Sequence, residues 1–153
     1  MIACLNLSEF ANMATIVACF VAVATLFYTA YHVRKNAQTN RATFWLELEK
    51  MFQAHDPVHL KLRPGGKWAD GESGPTTPEE WVALEDYMGL FEHCEIMMTS
   101  NLIDVSTFSD IFEYRLHNIV NNRSIVNAKL RQEAKDWKHF LKLLKRLDIP
   151  LTQ

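Results

Sequence analysis

From Phe10 to Val33 the chain carries no Asp, Glu, Lys or Arg, a run of 24 positions whose first 22 residues, FANMATIVACFVAVATLFYTAY, are mostly apolar. As an α-helix these 22 residues rise about 33 Å, close to the ~30 Å hydrocarbon core of a bilayer. Buried helices of soluble proteins seldom run so far without a charge, so the stretch predicts a membrane-crossing helix. Tyr28 and Tyr31 stand at one end and Phe10 at the other, where an interfacial aromatic belt belongs. A cleaved leader would carry positive charge ahead of a shorter apolar stretch, but Glu9 is the only charge before the run. Arg34, Lys35 and Arg41 follow it and mark the membrane surface. The positive-inside rule then predicts a single pass with the N-terminus outside and residues 34–153 in the cytoplasm. Domain 1–33 is thus a short extracytoplasmic tail plus the span. Cys4, Cys19 and Cys94 are odd in number and show no C-x-x-C spacing, so no disulfide framework is implied.

The span has a pattern of its own. Ala11, Thr15, Ala18, Ala22, Thr25 and Thr29 recur at alternating steps of four and three, the seam spacing of paired helices, and Ala14, Ala18 and Ala22 form consecutive small-x-x-x-small units. Lipid offers no hydrophobic drive between helices, so close approach along small residues, helped by Thr hydroxyls, is what brings spans together. The stripe predicts self-association into a homo-oligomer; the alternative is a chance alignment of residues common in single spans.

No Gly or Pro occurs between Met1 and Asp56, so nothing local stops the helix at the membrane surface. Phe44, Leu48, Met51 and Phe52, with Trp45 alongside, continue a helical stripe that Asp56-Pro57 should end. A loop over 63–77 holds four of the five glycines. Thr77-Pro78-Glu79-Glu80 then reads as N-cap, N1 proline and capping-box glutamate, starting a helix to about Thr99 through Trp81, Leu84, Met88, Phe91 and Glu95. Ser106 or Thr107 is the expected cap of a further helix on Phe108, Ile111, Phe112, Leu116, Ile119 and Val120, closed by Asn121-Asn122. A last helix should run unbroken from Ser124 to Leu147. No stretch alternates with period two for long enough to make a strand. The fold class is all-α: one N-terminal transmembrane helix continuing into a cytoplasmic bundle of about four helices.

The formal charge of −2 hides a division. Residues 68–114 hold eleven acids and no Lys or Arg, whereas 115–147 hold nine basic side chains against Glu133 and Asp136. The simplest use of such zones is a match within the chain or between subunits. The basic last helix would also suit anionic lipid or nucleic acid, with a solvated face preferred.

Motifs for chemistry are sparse. No Glu-x-x-His unit precedes His93, His117 or His139, and Pro57 interrupts the His55/His59 pair. His93-Cys94-Glu95 are spread around their helix, and Pro64-Gly65-Gly66-Lys67 lacks the strand and helix of a phosphate loop. No metal, cofactor or small-molecule substrate is expected. The most suggestive polar group is Arg115-Leu116-His117-Asn118. Arg115 lies at the edge of the apolar stripe and needs partners, which the acidic helices would supply. As a catalytic pair, Arg115 would clamp an RNA phosphate and His117 would act as general acid or base. As structural polar residues, Arg115 and Asn118 would anchor helices to one another, and this reading is preferred.

A single N-terminal span, a basic stop, a Trp-containing helix and an Arg-bearing later helix, across roughly residues 8–147, resemble an uncharacterised family of small bacterial membrane-anchored helical proteins. The same layout is similar to the membrane accessory protein of type VI-B CRISPR systems, which joins one span to a HEPN-like helical domain. That resemblance implies a bacterial inner-membrane location, oligomerisation through the span, pore formation in antiphage defence, and a partner protein of the defence system. HEPN ribonucleases place four to six residues between Arg and His; here Arg115 stands two before His117, which departs from the pattern. Three functional readings follow: a non-enzymatic, self-associating membrane effector, which leads; a tethered ribonuclease using Arg115 and His117; and a monomeric adaptor.

Overall fold

The computed structural model describes residues 7–151, apart from the side chains of 7–12, 19, 37 and 38. All regular structure among the described residues is helical: α1 (Leu7–Ala54), α2 (Asp56–Leu62), α3 (Pro78–Thr99), α4 (Val105–Val120), a single turn α5 (Arg123–Ile125) running into a π-helical segment (Val126–Gln132), and α6 (Lys138–Arg146). Packing divides the chain into two compact units, Met1–Leu48 and Glu49–Gln153. That division follows contacts, whereas a boundary at 33/34 follows charge.

In the first unit, α1 is long and apolar enough to cross a membrane, by length and composition, and no residue of its most apolar window is buried. Phe20, Leu26 and Phe27 are 72%, 70% and 73% exposed.

In the second unit, α1 ends at Ala54, just ahead of Asp56-Pro57. Pro57 sits in the first turn of α2, where its missing N–H costs nothing. The glycine-rich segment 63–77 is irregular as expected. Thr77 caps α3, its hydroxyl accepting from Glu80 N at 3.3 Å. The capping box is shifted by one residue, because the Glu80 carboxylate accepts from Thr76 N at 2.8 Å. That bond first, then Lys61 and Lys67 at 3.1 Å each, hold the Glu80 carboxyl down at about 2.

Two expectations need correction. The cap of α4 is Asp104, not Ser106 or Thr107: its Oδ2 accepts from Thr107 N at 2.9 Å and from both hydroxyls, at 2.6 Å and 2.9 Å. An ionised carboxylate is the stronger acceptor, so the hydroxyls donate to it. Ile111, placed on the buried stripe, is 45% exposed, whereas Phe108, Phe112, Leu116, Ile119 and Val120 are buried.

The last helix is also not continuous. It breaks after Gln132, and α6 restarts at Lys138. The cause comes from α3: the Glu92 carboxylate accepts from His139 N at 3.0 Å and Phe140 N at 3.1 Å, capping a second helix start that no local residue caps. Just before the break, Lys129 is 8% exposed; it meets Glu85 at 2.6 Å and Glu133 at 2.8 Å and lies over the Trp81 ring.

Phe91 of α3 is the hub of the core. Its ring lies 4.9 Å from Phe52 in the last turn of α1, 6.4 Å from Phe108 of α4 and 6.0 Å from Phe140 of α6. Phe52 also stacks on Phe112 at 4.2 Å. Such contacts add roughly 0.5–1.5 kcal/mol each beyond the area they bury. The two charge zones meet within the chain, at Glu72–Arg123, Glu85–Lys129, Glu95–Lys142 and Glu95–Arg146.

Candidate functional site

A polar cluster of the second unit that joins three helices gathers around Arg115. Its side chain is 11% exposed. Nη1 and Nη2 each donate to Asp56 Oδ1 at 3.2 Å, and Nε donates to the Tyr114 hydroxyl at 3.0 Å. The guanidinium carbon lies 5.7 Å from the Phe52 ring. Burial works against its charge, but the Tyr87 and Tyr114 hydroxyls outweigh it and raise the pKa further. The expected ion partner was an acidic helix; the structure supplies Asp56 instead, at the start of α2.

His59, 7% exposed, completes the cluster, with Nδ1 3.4 Å from the Tyr87 hydroxyl and the Tyr114 ring edge-on at 5.5 Å. Burial, then the Arg115 and Arg63 charges, lower its pKa against the pull of Asp56, so the imidazole is neutral at pH 7. Burial likewise pushes the Tyr87 phenol up to about 12, so it stays protonated. One cation, one carboxylate, one neutral imidazole and two phenols thus join α2, α3 and α4. This geometry makes Arg115 an inter-helix anchor.

Arg115 and His117 are not brought together. Two positions apart on a helix, they face roughly 200° away from each other. His117 Nε2 lies 3.4 Å from Glu113 Oε1 on its own helix, while Arg115 reaches α2. Asn118, half-buried, lines a cleft of about 340 Å³ between α4 and the loop after α2.

On α1, Ala14, Thr15, Ala18, Ala22, Thr25 and Thr29 are all exposed, whereas the Ala11 side chain lies outside the described residues. Thr25 and Thr29 donate their hydroxyls one turn back, to Val21 O and Thr25 O at 2.8 Å each. Within one chain these two hydroxyls therefore serve their own helix rather than standing free for a neighbour. Arg34, Lys35 and Arg41 are exposed on the same helix. No group of three or more His, Cys, Asp or Glu side chains suited to a metal ion occurs among the described residues.

The chain matches no protein-family model, no curated protein and no solved structure.

Sequence reasoning found Arg115 but missed Asp56, His59, Tyr87 and Tyr114 as its company. In the sequence Asp56 reads only as a helix stop. The available signal was that Arg115 falls at the edge of an apolar stripe and so needs partners.

Proposed function

We propose that this chain is a single-pass inner-membrane protein that self-associates through the small-residue ridge of α1 and carries residues 49–153 as a non-enzymatic helical domain in the cytoplasm. One observation carries the reading: the most apolar window of α1 has no buried residue. The same chain cannot be hiding that window in its own core. Each large side chain left in water forgoes about 1.5–3 kcal/mol of burial free energy, and Ile16, Val17, Phe20, Val21, Leu26 and Phe27 are all more than half exposed. Lipid removes that penalty, and Arg34, Lys35 and Arg41 after the window support the inward orientation. The layout shared with the type VI-B CRISPR accessory family supports extending the proposal to membrane permeabilisation in antiphage defence.

Bacterial membranes washed with alkaline carbonate should retain the full chain, and a C-terminal tag should resist external protease in intact cells. A chain that stays dissolved and monomeric without detergent ends the reading. Dye release from lipid vesicles checks the permeabilisation clause separately.

A further inference from the structure

α3 packs into the core through Leu84, Tyr87, Met88, Phe91 and Met98 and leaves its other side uncovered. On that side Val82, Asp86, Gly89, His93 and Ile96 recur at steps of four, three, four and three, and so share one face roughly 80° wide. Val82 is 56% exposed at one end of the face and Ile96 44% at the other. Asp86 and His93 are exposed as well, and neither has a hydrogen-bonding or ionic partner among the described residues. Gly89 stands at the centre, inside a helix of 22 residues, where glycine is the poorest helix former after proline. Nothing in the fold of a single chain asks for it there: a Cβ would meet no atom within 4 Å beyond the backbone of its own turn. A glycine with open space above it lets the backbone of another helix approach closely.

The face is its own complement when reversed. Val82 and Ile96 lie seven residues either side of Gly89, and Asp86 and His93 lie three before and four after it. Two copies turned end for end about an axis at Gly89 therefore set Val82 against Ile96 and Asp86 against His93, and do so twice, as a two-fold contact requires. Apolar meets apolar, and a carboxylate meets an imidazole N–H. A parallel pair would instead set Asp86 against Asp86. Five residues a side fall well short of the roughly 20–30 of a standard interface, so the contact needs chains already concentrated by a shared membrane.

We propose that α3 docks on α3 of a second copy of this chain, as an antiparallel two-fold pair with Gly89 at the crossing. The contact rests on the membrane reading for its local concentration and does not depend on the small-residue ridge of α1.

The test is disulfide crosslinking of the full chain in isolated native membranes, with Cys4→Ser and Cys19→Ser as background and Cys94 buried. Val82→Cys with Ile96→Cys should give a crosslinked dimer under mild oxidation. Either change alone should give less than about a fifth as much, because like positions then stand 14 residues apart, about 21 Å along the helix, against the roughly 7 Å between Cα atoms that a disulfide spans. Gly89→Leu added to the double variant should cut the crosslink at least about fivefold without lowering the unfolding temperature in detergent, since the fold leaves room there. Asp86→Lys should weaken it, and Asp86→Lys with His93→Glu should restore it. A crosslink as strong in either single variant overturns the proposal, as does one that Gly89→Leu leaves unchanged, a charge reversal that restores nothing, or a product holding another protein in place of a second copy. The same membranes are pelleted: a chain that pellets without crosslinking overturns this contact alone, whereas a chain absent from the pellet ends the membrane reading and this contact with it.

Discussion

Arg146 grips Glu95 with a fork: Nε donates to Oε2 and Nη2 to Oε1, both at 2.7 Å, and the carboxylate it holds is fully buried. Burial alone would push the Glu95 carboxyl up, but the bonds from Arg146, Lys142 and Thr99 outweigh it and bring it down to about 2. The pair fastens α6 to α3 beside the Glu92 cap. Removing Arg146 leaves a buried carboxylate held only by Lys142 and Thr99, both on Oε1, with Oε2 stripped of its donor, whereas removing the carboxylate leaves an arginine that can reach solvent, its side chain being 30% exposed. Arg146→Ala should therefore cost about 2–4 kcal/mol and Glu95→Gln distinctly less, read from chemical unfolding of the full chain in detergent.

Arg115 and His117 should separate in the same assay. Arg115→Ala leaves Asp56, 44% exposed, and Tyr114, 52% exposed, within reach of water, so the loss comes mainly from the packing and bonds of the buried guanidinium and should be about 1–2 kcal/mol, with Arg115→Lys recovering only part, since a lysine cannot reach Asp56 and Tyr114 together. His117, nearly half exposed and paired only within its helix, should cost less than about 0.5 kcal/mol on replacement by Ala. Equal losses at the two positions would remove Arg115 from its anchoring role.

Acid should unfold the second unit in two stages. His59 has a folded pKa below its ordinary 6.5, so its contribution is complete above that value and is lost as pH falls past it and then through the folded pKa. The groups facing it are Arg115, Arg63, Asp56, Tyr87 and Tyr114, and a second cation beside Arg115 is what protonation adds. Glu95 contributes fully above 4.5 and loses its contribution as pH falls towards about 2. His59→Gln, which keeps an acceptor for Tyr87, should flatten the melting temperature just below neutrality and leave the lower stage intact. Glu95→Gln should shrink the lower stage, which Glu80 and Asp104 share, and leave the upper one intact.

How far these features can be read from the chain depends on how local their causes are. Thr77-Pro78 starts α3 and Asp56-Pro57 ends α1 through neighbours within four residues, so both ends were legible. The break between Gln132 and Lys138 was not, because its cap, Glu92, lies 47 residues before His139 and no local rule announces it. The Arg115 partner was misread for the same reason: Asp56 is 59 residues away, in a two-residue signal already explained as a helix stop. Ser106 and Thr107 looked like caps by type, but the charge on Asp104 decided between candidates two or three residues apart. The acid–base match needed only the sign of each zone, so it was legible in outline though not pair by pair.

Ala18 and Ala22 lie on the exposed ridge of α1, and with the Thr25 and Thr29 hydroxyls donating to Val21 O and Thr25 O one turn back, that ridge offers shape more than bonding. Association along it would depend on how closely two backbones approach, which is what small residues allow. Ala18→Leu with Ala22→Leu adds two branched side chains at the point of closest approach while leaving the span as apolar as before. Crosslinking in native membranes should then show the oligomer falling to background at unchanged membrane content. Phe20→Leu with Phe27→Leu alters the opposite side, about 180° around the helix, and should leave the oligomer intact. An equal loss in both double variants would mean that the ridge does not form the interface, and no loss in either would mean that the span does not drive assembly.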